Sequence, residues 1–240
     1  MKKIFLLPAV LLLLILSLQS VSAIGLFVFE EYSTSYFVKG RTMVVEKEIV
    51  LRNIGSNVVI PGEMFFEISE QHGGNFRPAT VRDSIALSGS TELVSRITEH
   101  TEHTDVSVQI WNPILPGFDY TFSLSYEMDF RPQGVFFHEV VFPVERMRES
   151  IDVRNRNTRM MLPTRYSITY APSADVSSDG LYKIVDWGSR TDLTLEYSVL
   201  PMPELMPFRM VSVFWLTVLV LLGALFIFLN LKRTKKSKKK

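Results

Sequence analysis

Residues 119–130 read Asp-Tyr-Thr-Phe-Ser-Leu-Ser-Tyr-Glu-Met-Asp-Phe. Phe122, Leu124, Tyr126, Met128 and Phe130 occupy alternate positions, with Ser123, Ser125, Glu127 and Asp129 between them. Successive side chains of a strand point to opposite faces, so this stretch predicts a half-buried antiparallel strand. Upstream, 105–111 alternates in the same way, with Val106, Val108 and Ile110 against Ser107 and Gln109. Further strands are predicted over 26–30, 43–52 (Val45, Ile49 and Leu51 on one face), 64–68, 84–87 and 93–98. Downstream, 135–142, 158–162, 165–170, 182–187 and 192–200 read as strands, with Pro163 and Asp179-Gly180 as breaks. No segment between Ile24 and Pro201 sustains a period of 3.6 over ten residues, and only Glu145–Glu149 suggests a short helical turn.

Short strands separated by turn residues predict an all-β fold of antiparallel β-sandwich modules. Two modules are expected, 24–130 and 131–200, with a single elongated sandwich as the alternative. Asn53, then Ile60-Pro61-Gly62 and an aromatic-rich strand, is echoed by Asn112, then Leu115-Pro116-Gly117 and a second such strand. Both read as β-hairpins whose second strand starts after a Pro-Gly turn, a likeness that hairpins in general share.

The ends carry a different signal. Residues 210–231 contain no charge, and 22 helical residues rise roughly 33 Å, enough for a hydrocarbon core of about 30 Å. Residues 208–231 are therefore expected to form one transmembrane helix through the lipid bilayer, with 201–207 a Pro-containing stalk. The tail 232–240 holds Lys232, Arg233, Lys235, Lys236, Lys238, Lys239 and Lys240. Such a run is expected on the cytoplasmic side, against anionic inner-leaflet lipids. Residues 1–23 read as a signal peptide: basic Lys2 and Lys3, a short apolar core and Val21-Ser22-Ala23. An uncleaved anchor is the alternative. The expected topology is a single-pass type I protein of the plasma membrane with 24–207 outside.

All 25 Asp and Glu fall within 24–209, against 17 of the 26 Lys and Arg, a net charge near −8. An acidic domain argues against nucleic acid as its partner. There is no Cys and no Asn-x-Ser/Thr acceptor, so no disulfide staples this domain. These features together resemble small Cys-free surface proteins of archaea and bacteria. Met160-Met161-Leu162-Pro163, Asp179-Gly180, Trp187 and Leu193–Val199 are similar to the second luminal module of ribophorin I-type proteins, noncatalytic subunits of oligosaccharyltransferase. The topology also resembles the alpha subunit of the translocon-associated complex. The resemblance implies a noncatalytic role.

Candidate chemistry is sparse. His100 and His103, with Glu99, Glu102 and Asp105, offer donors of the type zinc takes. On a strand, however, spacing of three puts the two rings on opposite faces; only a turn would bring them together. No metal or other cofactor is therefore expected. His72 reads as a loop residue and His138 as a buried, hydrogen-bonded side chain. No Gly-x-Ser-x-Gly, His-Glu-x-x-His or phosphate-binding glycine loop occurs. Arg146, Arg148, Arg154, Arg156, Arg159 and Arg165 cluster within 20 residues and could grip an anionic partner; the alternative is a solvated face paired with Glu145, Glu149 and Asp152. The expected function is a noncatalytic module binding a protein or glycan, with an accessory subunit of a protein-export or glycosylation machine as the alternative.

Overall fold

A computed structural model describes residues 27–72, 74–149, 151–202, 204 and 208–237. Sixteen strands lie among them: β1 Phe27–Lys39, β2 Thr42–Asn53, β3 Gly62–His72, β4 Asn75–Pro78, β5 Val81–Ser88, β6 Thr91–Leu93, β7 Ser95–Glu99 and β8 Thr104–Ile110. Then follow β9 Asp119–Asp129, β10 Phe137–Glu139, β11 Val144–Met147, β12 Asp152–Pro163, β13 Ser167–Tyr170, β14 Asp175–Ser178, β15 Tyr182–Gly188 and β16 Glu196–Ser198. The strand orders are β14-β15-β12-β1-β2-β9-β5-β6, β11-β3-β8-β7 with β4 on β3, and β10-β16-β13. The chain divides into two units that share strands. Unit one holds residues up to 34, 45–128 and 144–157; unit two holds 35–44, 129–143 and 158 onward.

Unit one realises the alternation. In β9, Phe122, Leu124, Tyr126 and Met128 are buried. The β3–β8 register sets Phe66 opposite Val106 and Met64 opposite Val108, and all four are buried. On β2, the buried face runs Val45, Lys47, Ile49, Leu51 and Asn53. Each apolar side chain on these faces contributes about 1.5–3 kcal/mol by leaving water.

Unit two is built on rings. Phe142 meets Tyr36 at 5.5 Å and Trp187 at 5.4 Å, both edge to face. Tyr197 stands among Phe130, His138 and Tyr166, and burial pushes its phenol far above the ordinary range. His138 is half-buried against Tyr197, with no hydrogen-bond partner on Nδ1. Its ring packs tilted against Tyr197 at 5.1 Å, and it is half-buried rather than buried as expected. Gly134 has φ +122°, and a Cβ there would stand 1.8 Å from the carbonyl oxygen of Phe137. Gly134→Ala should therefore cost about 1–3 kcal/mol of backbone strain, read as faster amide exchange at Glu139, whose N–H donates to Gln133 at 2.8 Å. Unchanged exchange there would show that the turn relaxes freely.

Two sequence expectations are corrected. The helical turn at Glu145–Glu149 is instead covered by β11, which pairs Val144–Met147 with Ser69–Phe66 of β3. The transmembrane helix is corrected too. Helix α1 (Phe208–Ser237, 30 residues) forms where apolar helix formers run together, yet among the described residues no helix is long and apolar enough to cross a membrane. The expected leader 1–23, Lys238–Lys240 and most of the stalk lie outside the described residues.

Candidate functional site

Both segments of the Asn/Pro-Gly echo leave one sheet for the other, so neither is the β-hairpin expected from the sequence. Residues 54–61 carry the chain from β2 to β3, and 111–118 carry it back from β8 to β9. Since β2 neighbours β9 and β3 pairs with β8, the two connections run side by side in opposite directions and can pair. They do so at Val59 and Ile114, which exchange both backbone hydrogen bonds, at 3.1 and 2.8 Å.

Asn53 fastens the pair. Its side chain is fully buried. Nδ2 donates to the carbonyls of Asn57 (2.8 Å) and Ile114 (2.9 Å), and Oδ1 accepts from the N–H of Gly55 (2.9 Å). Its backbone N–H donates to Phe118 and its carbonyl accepts from Gly117. The motif's other asparagine, Asn112, is exposed and donates to the Tyr120 hydroxyl at 3.3 Å. So the echo is one of backbone course, and only one asparagine is structural.

The fastened loops expose apolar side chains. Trp111 is 64 % exposed and Phe118 63 %, and Ile54, Val58, Ile60 and Leu115 are each about half exposed. Their backbone is held at both ends, so presenting them costs little further ordering entropy. Ile60 also lines a cavity with Phe27, Leu51, Pro61, Met64 and Ile151, whose acidic members are Glu63 and Glu149. The paired motif is visible in the sequence, whereas alternation over 105–111 makes Trp111 the end of a strand and nothing marks Phe118 as exposed.

The six arginines each stand on a partner of their own. Arg146 lies over Phe76, Arg156 over Tyr32 and Arg165 over Tyr166. Arg148 lies over Phe65 and donates to Asp105 at 2.6 Å and Glu67 at 3.4 Å. Arg154 donates to Glu30, and Arg159 to Ser35. Elsewhere in unit one, Arg52 and Asp119 form a two-point ion pair, which holds the Asp119 carboxyl below its ordinary range.

His100 and His103 do converge. They flank the tip of the β7–β8 hairpin, closed by the His100 N–H donating to the His103 carbonyl at 2.9 Å. Lys232, Arg233, Lys235 and Lys236 lie within α1.

No family model matches the sequence. It is 28 % identical over 130 residues to an uncharacterized protein of Methanocaldococcus jannaschii, covering 54 % of this chain and 90 % of that protein. Among solved structures it is similar to a candidate nutrient-binding protein from Legionella pneumophila, with TM-score 0.52 and 10 % identity over 72 % of this chain and 67 % of that one. An M1 zinc metallopeptidase from Deinococcus radiodurans gives TM-score 0.46 and 11 % identity over 72 % of this chain. The chain spans 42 % of that peptidase.

Proposed function

We propose that this chain is a noncatalytic β module that docks a protein partner through the joined loops 54–60 and 111–118. The observation that carries the reading is the exposure of Trp111 and Phe118 on a base pinned by Asn53. Large aromatics on a rigid support are the residues that dominate binding interfaces, and contiguous exposed apolar side chains mark interaction sites. The aliphatic neighbours Ile54, Val58, Ile60 and Leu115 favour a protein over a glycan, because sugar hydroxyls need polar partners that these side chains lack. Glu63 and Glu149 beside the cavity favour a partner segment in which an aliphatic anchor is followed by Lys or Arg.

The test is selection of a displayed random-peptide library on the purified full chain, run in parallel on Trp111→Ala/Phe118→Ala. Peptides combining Leu, Ile or Phe with Lys or Arg should be enriched on the parent. Their affinity should fall at least about 30-fold on the double variant, the effect of losing one hot spot of about 2 kcal/mol. No enrichment, or enrichment indifferent to the substitutions, would sink the reading. Sugar binding that depends on Trp111 would replace the protein partner with a glycan.

A further inference from the structure

We infer that His100, His103 and Asp105 form a binding site for a divalent transition metal of the zinc class. The turn at 100–103 brings the two imidazoles to 4.7 Å between ring centres, at 30°. Both Nε2 atoms face one carboxylate: His100 stands 3.1 Å from Oδ2 of Asp105, and His103 stands 3.4 Å from Oδ1. One donor atom from each of the three residues lies within 4.8 Å of the others. A tetrahedral ion with bonds of about 2.0–2.1 Å separates its donors by about 3.3 Å. The 3.4 Å between His103 Nε2 and Asp105 Oδ1 matches that edge without any ion to draw the groups in.

A second observation points to a ligand. The Asp105 side chain is only 5 % exposed, and its Oδ1 is buried with no hydrogen-bond partner. Oδ2 is taken by Arg148, at 2.6 Å, which is itself held over Phe65 at 4.2 Å. Arg148 therefore fixes the carboxylate and leaves the other oxygen turned toward His103. A buried acceptor without a partner keeps its full desolvation cost, and a cation between Oδ1 and the imidazoles would remove that cost. Imidazole with carboxylate selects zinc, nickel or copper over calcium or magnesium. His100 is 43 % and His103 30 % exposed, so solvent can supply a further ligand and the ion can exchange. Glu99 and Glu102, both exposed at the same turn, add negative charge that favours a cation.

The site lies at the opposite end of β8 from the docking loops, since six residues from Asp105 to Trp111 span about 20 Å. It can therefore be tested apart from them. Zinc is titrated calorimetrically into the EDTA-stripped full chain and into His100→Gln, His103→Gln and the double variant, with melting in EDTA measured for each. One saturable zinc per parent chain is expected. Each single variant should bind more than about 100-fold more weakly, since losing even an outer-shell partner costs about 10–100-fold. Cobalt(II) should develop visible ligand-field absorption in the parent and none in the double variant. Equal zinc binding by parent and double variant, or no saturable binding by the parent at millimolar zinc, would overturn the site.

Discussion

Replacing Lys47 with methionine should destabilise unit one by about 3–5 kcal/mol, the range for stripping one partner from a buried ion pair. Lys47 is fully buried. Its ammonium is paired with Glu145, and it donates to the Tyr32 hydroxyl at 3.2 Å and Thr34 at 3.4 Å. The Tyr32 hydroxyl in turn donates to the other oxygen of Glu145. These contacts tie β1 and β2 to β11, which belongs to the other sheet. Burial pushes the ammonium below its ordinary range, against the opposing pull of Glu145. The cost of the lone substitution is the carboxylate left behind, 15 % exposed and without its cation. Lys47→Met/Glu145→Gln should therefore recover most of the loss. The pH dependence has a definite sign. Lys47 holds its proton more weakly folded than unfolded, so stability should rise with pH across the window below 10.5. Lys47→Met should lack that rise. Urea melts of the three variants, followed by amide exchange in β2, decide it; equal losses for the single and double variants would mean that the pair carries no coupling.

Lys47 also shows what the sequence allowed and what it hid. Period two on β2 places Val45, Lys47, Ile49, Leu51 and Asn53 on one face, all of them buried. Lys47 and Asn53 were thus visible as polar residues in apolar register, yet a charged residue in a strand is ordinarily read as solvated. In β9 and β3 one face is the more covered, so burial follows the alternation, whereas β8 is buried on both faces and was legible because Ser107 and Gln109 still separate Val106, Val108 and Ile110. In β1 it does not survive: Phe27, Val28 and Phe29 are buried in succession, as are Thr34, Ser35 and Tyr36. A strand covered on both faces loses the period-two signal, so most of β1 went unread. Glu145 opens Glu-Arg-Met-Arg-Glu over 145–149, where four charged residues of five gave no cue to the pairing of this segment with β3. For the histidines, loop length decided everything. Read as strand, the spacing of three separates the rings; closed as a turn, it sets them against one carboxylate. In 208–231 composition alone suggested a span, whereas among the described residues no helix is long and apolar enough to cross a membrane.

Asn53→Asp should be more damaging than Asn53→Ala, although aspartate is the closer match in shape. Alanine removes three hydrogen bonds, each contributing about 0.5–1.5 kcal/mol, for a loss of about 2–4 kcal/mol. Aspartate keeps the bond from the Gly55 N–H. Its second oxygen, however, would stand where Nδ2 now donates to the carbonyls of Asn57 and Ile114 at 2.8 and 2.9 Å. Three acceptors would then face one another in a site shut from water, and an ionised carboxylate there is worse than a missing side chain. The outcome is an aspartate whose carboxyl titrates above its unfolded value. The folded state then binds the extra proton, so Asn53→Asp should recover stability as pH falls through that raised value, while Asn53→Ala should not. Because Ile114 still accepts from Val59, and Asn53 still offers its backbone to Gly117 and Phe118, the loops should loosen without the sheets coming apart. Amide exchange at Gly55, Ile114 and Gly117 should speed up in both variants while Val106 and Val108 in β8 stay protected. Peptide binding at Trp111 and Phe118 should weaken in step, since the surface depends on a fixed base. Equal stability of the two variants at neutral pH, or slow exchange at Ile114 in either, would show that the loops hold together without Asn53.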